Sequence, residues 1–188
     1  VLRGDRDAFR EIVERYQGRV FRLAAALLKN RADAADIAQE ALVRAYASLD
    51  SFKGDSRFST WLYKIVSNLC IDWLRRRQTA QSEELDEGLH AQEDSIAPGL
   101  ISGRLNANPQ GQLLRRELAG KLNKALESLP DKHRQILWLR EVEGLSYEEL
   151  SEVLDIPKGT VMSRLFHARG KMQSLLAGYM RDEGDDAL

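Results

Sequence analysis

Cysteine occurs only once in these 188 residues, at Cys70. An internal disulfide and any multi-cysteine zinc site are thereby excluded. Its place in an apolar run marks Cys70 as a small core residue. No apolar run approaches the length of a membrane span and no signal-peptide pattern is visible, so a reducing, cytoplasmic setting is the expectation. The chain opens on Val1 rather than Met, which leaves room for residues ahead of it. The period-two alternation of a strand is missing. So are metal-ligand clusters, nucleophile–base pairs and phosphate-cradling loops, which leaves an enzyme as the least favoured class and no cofactor expected.

A net charge of −1 hides an uneven distribution. Residues 1–77 carry 15 Lys/Arg against 10 Asp/Glu, and residues 115–181 carry 12 against nine. Between them, residues 78–114 hold one base and six acids, with no aromatic at all. Two basic blocks flanking an acidic middle suit two contacts with a polyanion.

Period-3.6 patterning dominates both blocks. Phe9, Ile12, Val13, Tyr16, Val20, Leu23 and Leu27 share one side of a first helix. A second, with Asp33 as expected N-cap and Asp36 in its first turn, carries an inner stripe of Ala38, Ala41, Leu42, Ala45 and Leu49. After a polar loop around Gly54, Ser59 or Thr60 is expected to cap a third helix with Leu62, Ile65, Val66, Leu69 and Trp73 inward. Leu118, Leu122, Ala125, Leu126 and Leu129 form a stripe ended by Pro130, and Asp131 is the expected cap of the next helix, which contains Val142 and ends at Gly144. Ser146 and Glu149 fit a capping box. The spacing therefore predicts an all-α chain of two small helical domains, 1–77 and 115–181. A long, flexible, acidic linker at 78–114 joins them loosely, and an acidic tail occupies 182–188.

The last helix, entered through Pro157 and Gly159, completes a helix-turn-helix pattern. Val161, Leu165, Ala168, Met172 and Leu176 face its core, while Met162, Ser163, Phe166 and His167 lie opposite, flanked by Lys158, Arg164, Arg169 and Lys171. Bases at the edges suit phosphates, and the central side chains suit base edges in a major groove. A solvated surface helix is the bland alternative, but Phe166 on a polar face has no core to explain it. Upstream, Phe52 and Phe58 sit beside Lys53 and Arg57, and Lys64, Asn68 and Asp72 follow at helical spacing. Aromatics interleaved with bases can stack unpaired nucleotides while the bases hold the backbone. Trp61 and Trp73 read equally well as core residues.

Three segments carry a family resemblance. "DAADIAQEALVRAY", "FKGDSRFSTWLYKIVSNLCIDWLRRR" and "LPDKHRQILWLREVEGLSYEELSEVLDIPKGTVMSRLFHARGKM" stand in the order and spacing of the bacterial sigma-70 family. The chain resembles its compact extracytoplasmic-function (ECF, group 4) sigma factors over essentially its whole length.

The resemblance implies a factor that binds core RNA polymerase through its beta and beta-prime subunits and directs promoter-specific initiation. It places Asp36, Gln39, Glu40 and Arg44 against the polymerase clamp. Phe52, Lys53, Arg57, Phe58, Ser59, Thr60, Trp61, Lys64 and Asn68 would handle the melted −10 strand. Lys158, Thr160, Met162, Ser163, Arg164, Phe166, His167, Arg169 and Lys171 would face the −35 duplex. A cognate anti-sigma factor is implied as a competitor, and membrane insertion is not. Met162 and His167 depart from positions often basic in the family, so a different −35 preference is expected. His90 and His133 are expected at the surface. A helix-turn-helix regulator acting without polymerase, or a sigma-like decoy for an anti-sigma factor, remain the alternatives.

Overall fold

The computed structural model describes the backbone of residues 6–84 and 109–185, and side chains within 9–80 and 117–177. Most of the segment expected as a linker, and His90 with it, lies outside the described residues.

The first half is a three-helix unit. Helix α1 runs Arg6–Leu28, α2 Arg31–Ala47 and α3 Phe58–Glu84. Lys29 turns the chain at φ 58, and Asn30, in extended conformation, caps α2 by accepting from Ala32 N at 2.8 Å and Asp33 N at 3.1 Å. The cap is thus Asn30 rather than Asp33, because the left-handed residue ends α1 early and α2 begins at once. Val20, Leu23, Leu27, Ala34, Ala38, Ala41 and Ala45 bury the α1–α2 seam, and the run of alanines lets the two axes approach closely. A 3₁₀ turn at Leu49–Ser51 and the left-handed Gly54 (φ 80) lead into α3. That helix starts at Phe58, so Ser59 and Thr60 lie inside its first turn instead of capping it.

The second half is built from α4 (Pro109–Glu127), α5 (Asp131–Leu137), a π-helical turn (Trp138–Val142), α6 (Tyr147–Leu154) and α7 (Lys158–Asp185). Pro130 rather than Asp131 occupies the N-cap of α5. Gly144, at φ 74, ends the π turn as expected. Ser146 closes a full capping box with Glu149, and Asp155, left-handed at φ 51, ends α6 and sets the sharp turn into α7. Val161, Leu165 and Ala168 pin α7 to the core, with Met172 and Leu176 half-buried further on. Two expected stripe residues do not reach that core: Leu118 is exposed, and so is Val142, where the wider π turn rotates it outward.

The halves are in direct contact rather than only tethered, and a continuous core cluster runs through both. Helix α3 packs against α6, and α1 packs against α5 and the π turn. Tyr63 and Ser67 are buried on a face of α3 that the apolar period alone leaves polar.

Candidate nucleic-acid and partner interfaces

The outer face of α7 is assembled by the burial of its inner one. With Val161, Leu165 and Ala168 fixed inward, Phe166 is left 74% exposed and Met162 58% exposed. Ser163 and His167 are exposed between them, and the Phe166 ring meets His167 edge-on at 5.5 Å. Two of the flanking bases are held by acids. Lys158 pairs with Glu148, whose carboxyl that hydrogen bond holds below its ordinary range. Arg169 reaches Glu141 Oε1 from Nε at 3.1 Å and from Nη2 at 2.7 Å. Arg164 is half-buried, Thr160 likewise, and Lys171 is exposed. His133, expected at the surface, is half-buried, with its Nδ1 covered and unpaired. Burial, with Lys132, His167, Arg164 and Lys171 nearby, pushes its pKa below the usual value. The result is a helix face with an exposed apolar, aromatic centre and basic side chains at its edges.

At the other end, the expected strand-binding residues converge on one corner. Phe52, Phe58 and Trp61 brace one another at 5.2–5.8 Å, and Tyr16 of α1 meets Phe58 at 5.4 Å. Phe52 and Phe58 are therefore half-buried members of an aromatic cluster and not free loop rings. Lys53 and Arg57 are exposed beside that cluster, and Asn68 is exposed along α3 with Lys64 half-buried before it. Thr60 differs from the rest: it is buried, and its hydroxyl donates to Glu149 Oε1 at 3.1 Å. Ile71, three residues beyond Asn68, is a large apolar side chain left 40% exposed on this side of α3, which the sequence reading did not single out. Its helical spacing from Lys64 and Asn68 was the available signal.

The polymerase-facing residues expected on α2 are all exposed: Asp36, Gln39, Glu40 and Arg44, with Arg44 Nη2 at 2.6 Å from Glu40 Oε1. Beside them opens a groove of about 990 Å³ between α1 and α2, lined by Phe9, Val13, Phe21, Leu42, Val43 and Tyr46. Val43 and Tyr46 are exposed large hydrophobics that a search for inward stripes passes over. A second groove of about 430 Å³ lies between α4, the π turn and α7, around Leu122, Trp138, Val142 and Met172. Apolar grooves of this kind, rimmed by charge, are the usual seats of partner helices. Among the described residues there is no cluster of side chains able to hold a metal ion. No described helix is long and apolar enough to cross a membrane.

Residues 12–80 match the family model for sigma-70 region 2, and residues 119–172 match that for sigma-70 region 4. The ECF RNA polymerase sigma factor SigW of Bacillus subtilis is 36% identical over 180 residues, spanning 94% of this chain and 92% of that one. The ECF RNA polymerase sigma-E factor of Escherichia coli K12 is 37% identical over the same length and shares of the two chains. Among solved structures, the sigma factor RpoE of Bartonella quintana, crystallised with the anti-sigma factor NepR, superposes with a TM-score of 0.72 at 26% identity, over 90% of this chain and 97% of that one. CnrH, solved with the cytosolic domain of CnrY, shares the fold, with a TM-score of 0.63 over 94% of this chain and 92% of that one, at 22% identity. Matched over nearly its full length in the order region 2 then region 4, this chain belongs to the sigma-70 family, among the extracytoplasmic-function sigma factors.

Proposed function

We propose that the chain binds core RNA polymerase through the exposed face of α2 and the neighbouring groove, and directs promoter-specific transcription initiation with two DNA contacts. The observation that carries this reading is the exposed Phe166–Met162–His167 face on a helix whose opposite side is buried at Val161, Leu165 and Ala168. It stands in the same chain as an aromatic, cationic corner some hundred residues away. A duplex-binding regulator uses the first and has no need of the second.

On the −35 duplex, Arg164 and Lys171 neutralise phosphates from the edges of the face. Lys158 and Arg169, already held by Glu148 and Glu141, are positioned as much as supplied. Met162 and His167 stand at the centre, where an arginine would read guanine bidentately, so base choice there rests on shape and single hydrogen bonds. On the −10 strand, a base taken out of the stack meets the ring cluster of Phe52, Phe58 and Trp61, with Lys53, Arg57 and Asn68 around it. The contacts offset unstacking, which costs roughly a few kcal/mol. No bond is made or broken: strand opening follows because the opened form binds better. A protein antagonist of anti-sigma type would act by covering the apolar grooves that polymerase also needs, and the site of action is the cytoplasm, with the DNA.

Run-off transcription with purified core polymerase and a promoter library tests the reading. Factor-dependent transcripts with discrete start sites are expected; absence of core binding overturns it.

A further inference from the structure

The two edges of the exposed face of α7 differ. By helical spacing, Lys158 and Arg169 line one edge, and Arg164, His167 and Lys171 line the other. Both bases of the first edge are held by carboxylates of this chain: Glu148 pairs with Lys158, and Glu141 Oε1 stands 2.7 Å from Arg169 Nη2. The second edge meets the start of α5, which packs against α7 and brings Lys132 and His133 to it. Among the described residues no carboxylate pairs with Lys132, Arg164 or Lys171. Asp131, the acid beside them in sequence, is taken by Arg134 at 2.7 Å.

His133 lies among these groups. It is half-buried, its Nδ1 is covered and meets no partner, and Nε2 is the nitrogen that can face a ligand. Burial acts on it first, then Lys132 of its own helix, then His167, Arg164 and Lys171 of α7, and all of them favour the neutral ring. Helix α1 and the π turn also pack on α5, and no charged group of either is among those that act on His133 most.

An edge with several cations and no carboxylate lacks an anion to complete it. The Met162–Phe166 face beside it is the one assigned to the −35 duplex, whose backbone presents phosphates at every step. A phosphate oxygen against this edge cancels the repulsion that keeps the imidazole neutral. The imidazolium charge is shared over both ring nitrogens, so contact at Nε2 is enough.

We propose that His133 is a proton-linked phosphate contact: it takes one proton from solvent as a backbone phosphate of the −35 duplex settles against Lys132, Arg164 and Lys171, and duplex affinity rises as pH falls. This rests on the −35 assignment of α7. The sign follows from linkage. The bound chain holds the proton more tightly than the free chain, so the gain is absent above the bound titration point and complete below the free one. Uptake of a single proton limits the effect to about tenfold per pH unit.

The test uses the full chain, without polymerase, and a mixed-sequence duplex of about 20 base pairs at about 50 mM salt, where phosphate contacts dominate affinity. Affinity is measured from about pH 8 to about pH 6, with a gain of about fivefold expected for the parent and under about twofold for His133→Gln. In parallel, the ring protons of the three histidines are titrated by NMR with and without duplex, the His133→Gln spectrum assigning the signal. The His133 midpoint should rise on binding. Should His133→Gln fail to fold, that midpoint in the parent decides alone. Duplex binding without a rise in the midpoint, or a pH dependence that survives intact in a folded His133→Gln, overturns the proposal and leaves the −35 reading standing. No duplex binding at any pH overturns the −35 reading, and the proposal with it.

Discussion

The guanidinium of Arg134 donates from Nη2 to the main-chain carbonyl oxygen of Leu27 at 2.8 Å, across the seam between the two halves. The same group donates to Asp131 Oδ1 at 2.7 Å and from Nη1 to Leu129 O at 3.0 Å. It is 1% exposed. A buried cation is tolerated here because it satisfies the carbonyl oxygens of Leu27, in the last turn of α1, and of Leu129, in the short link after α4.

Arg134→Met should therefore destabilise the chain by about 2–4 kcal/mol, since two buried carbonyls lose their donor while the side-chain volume is nearly kept. Arg134→Lys should recover little, because a point charge on a flexible stem cannot reach several carbonyls at once. Urea unfolding midpoints of the two variants against the parent check this. Midpoints within experimental scatter of the parent would mean that the carbonyls find other donors.

Glu149 supplies a pH dependence. The Ser146 backbone N–H, at 2.7 Å, holds its carboxyl below the ordinary glutamate value, with Thr60 and Arg57 acting in the same direction against partial burial. A pKa lower in the folded chain than in the unfolded one stabilises the fold above the unfolded value of about 4.3. That stabilisation is lost as pH falls through the lower, folded value. Acidification below about pH 4.3 should thus loosen the start of α6 and its contact with Thr60. Glu149→Gln keeps a side chain able to complete the capping box but does not titrate, so its stability should be flatter over the same acid range. Unfolding free energies measured at a series of acidic pH values decide it; parallel curves for parent and variant would remove Glu149 as the cause.

Much of this architecture is legible in the sequence, for reasons that show where legibility stops. The inward positions of α7 announce themselves by period, and the capping box of Ser146 and Glu149 by its three-residue separation. Phe166 stands out because nothing in its own helix explains it. Tyr63 and Thr60 do not, since the surface that buries them arrives from some 80–89 residues away, and a helical period describes one helix at a time. Asn30 was hidden by Lys29, whose left-handed backbone no propensity for lysine suggests. Val142 and Leu118 fell the other way: apolar at the right spacing, yet exposed, one rotated outward by a π turn that leaves no mark in the pattern.

Tyr63 offers a spectroscopic handle on the seam. Burial first, then its hydrogen bond to the Glu143 carboxylate, raises its pKa well above the ordinary tyrosine value. With a folded pKa above the unfolded one, the stabilisation is complete below about pH 10 and is lost as pH rises through the folded value. Tyr63 should therefore ionise late, its phenolate absorbance appearing together with loss of compactness. In Tyr63→Phe that late step should vanish. A late step that persists in the variant would belong to another tyrosine.

Phe166 separates recognition from stability. At 74% exposure its ring contributes little to the core, so Phe166→Ala should change unfolding free energy by less than about 0.5 kcal/mol. On a promoter duplex the same substitution removes the apolar centre of the face, and a loss of about tenfold in −35-dependent affinity is expected, within the roughly 1–3 kcal/mol span of a specific base contact. His167→Arg should act on preference instead, adding a bidentate donor where the parent has an imidazole, and favouring guanine at the position it meets. Both effects are read by competition binding on a −35 library alongside transcription from the selected promoters. If Phe166→Ala lowers stability and affinity together, the ring is structural. If His167→Arg leaves the selected sequence unchanged, the imidazole does not face the bases. A loss of affinity at unchanged stability, with a shifted preference from position 167, would place base recognition on the outer face of α7, opposite the buried row of Val161, Leu165 and Ala168.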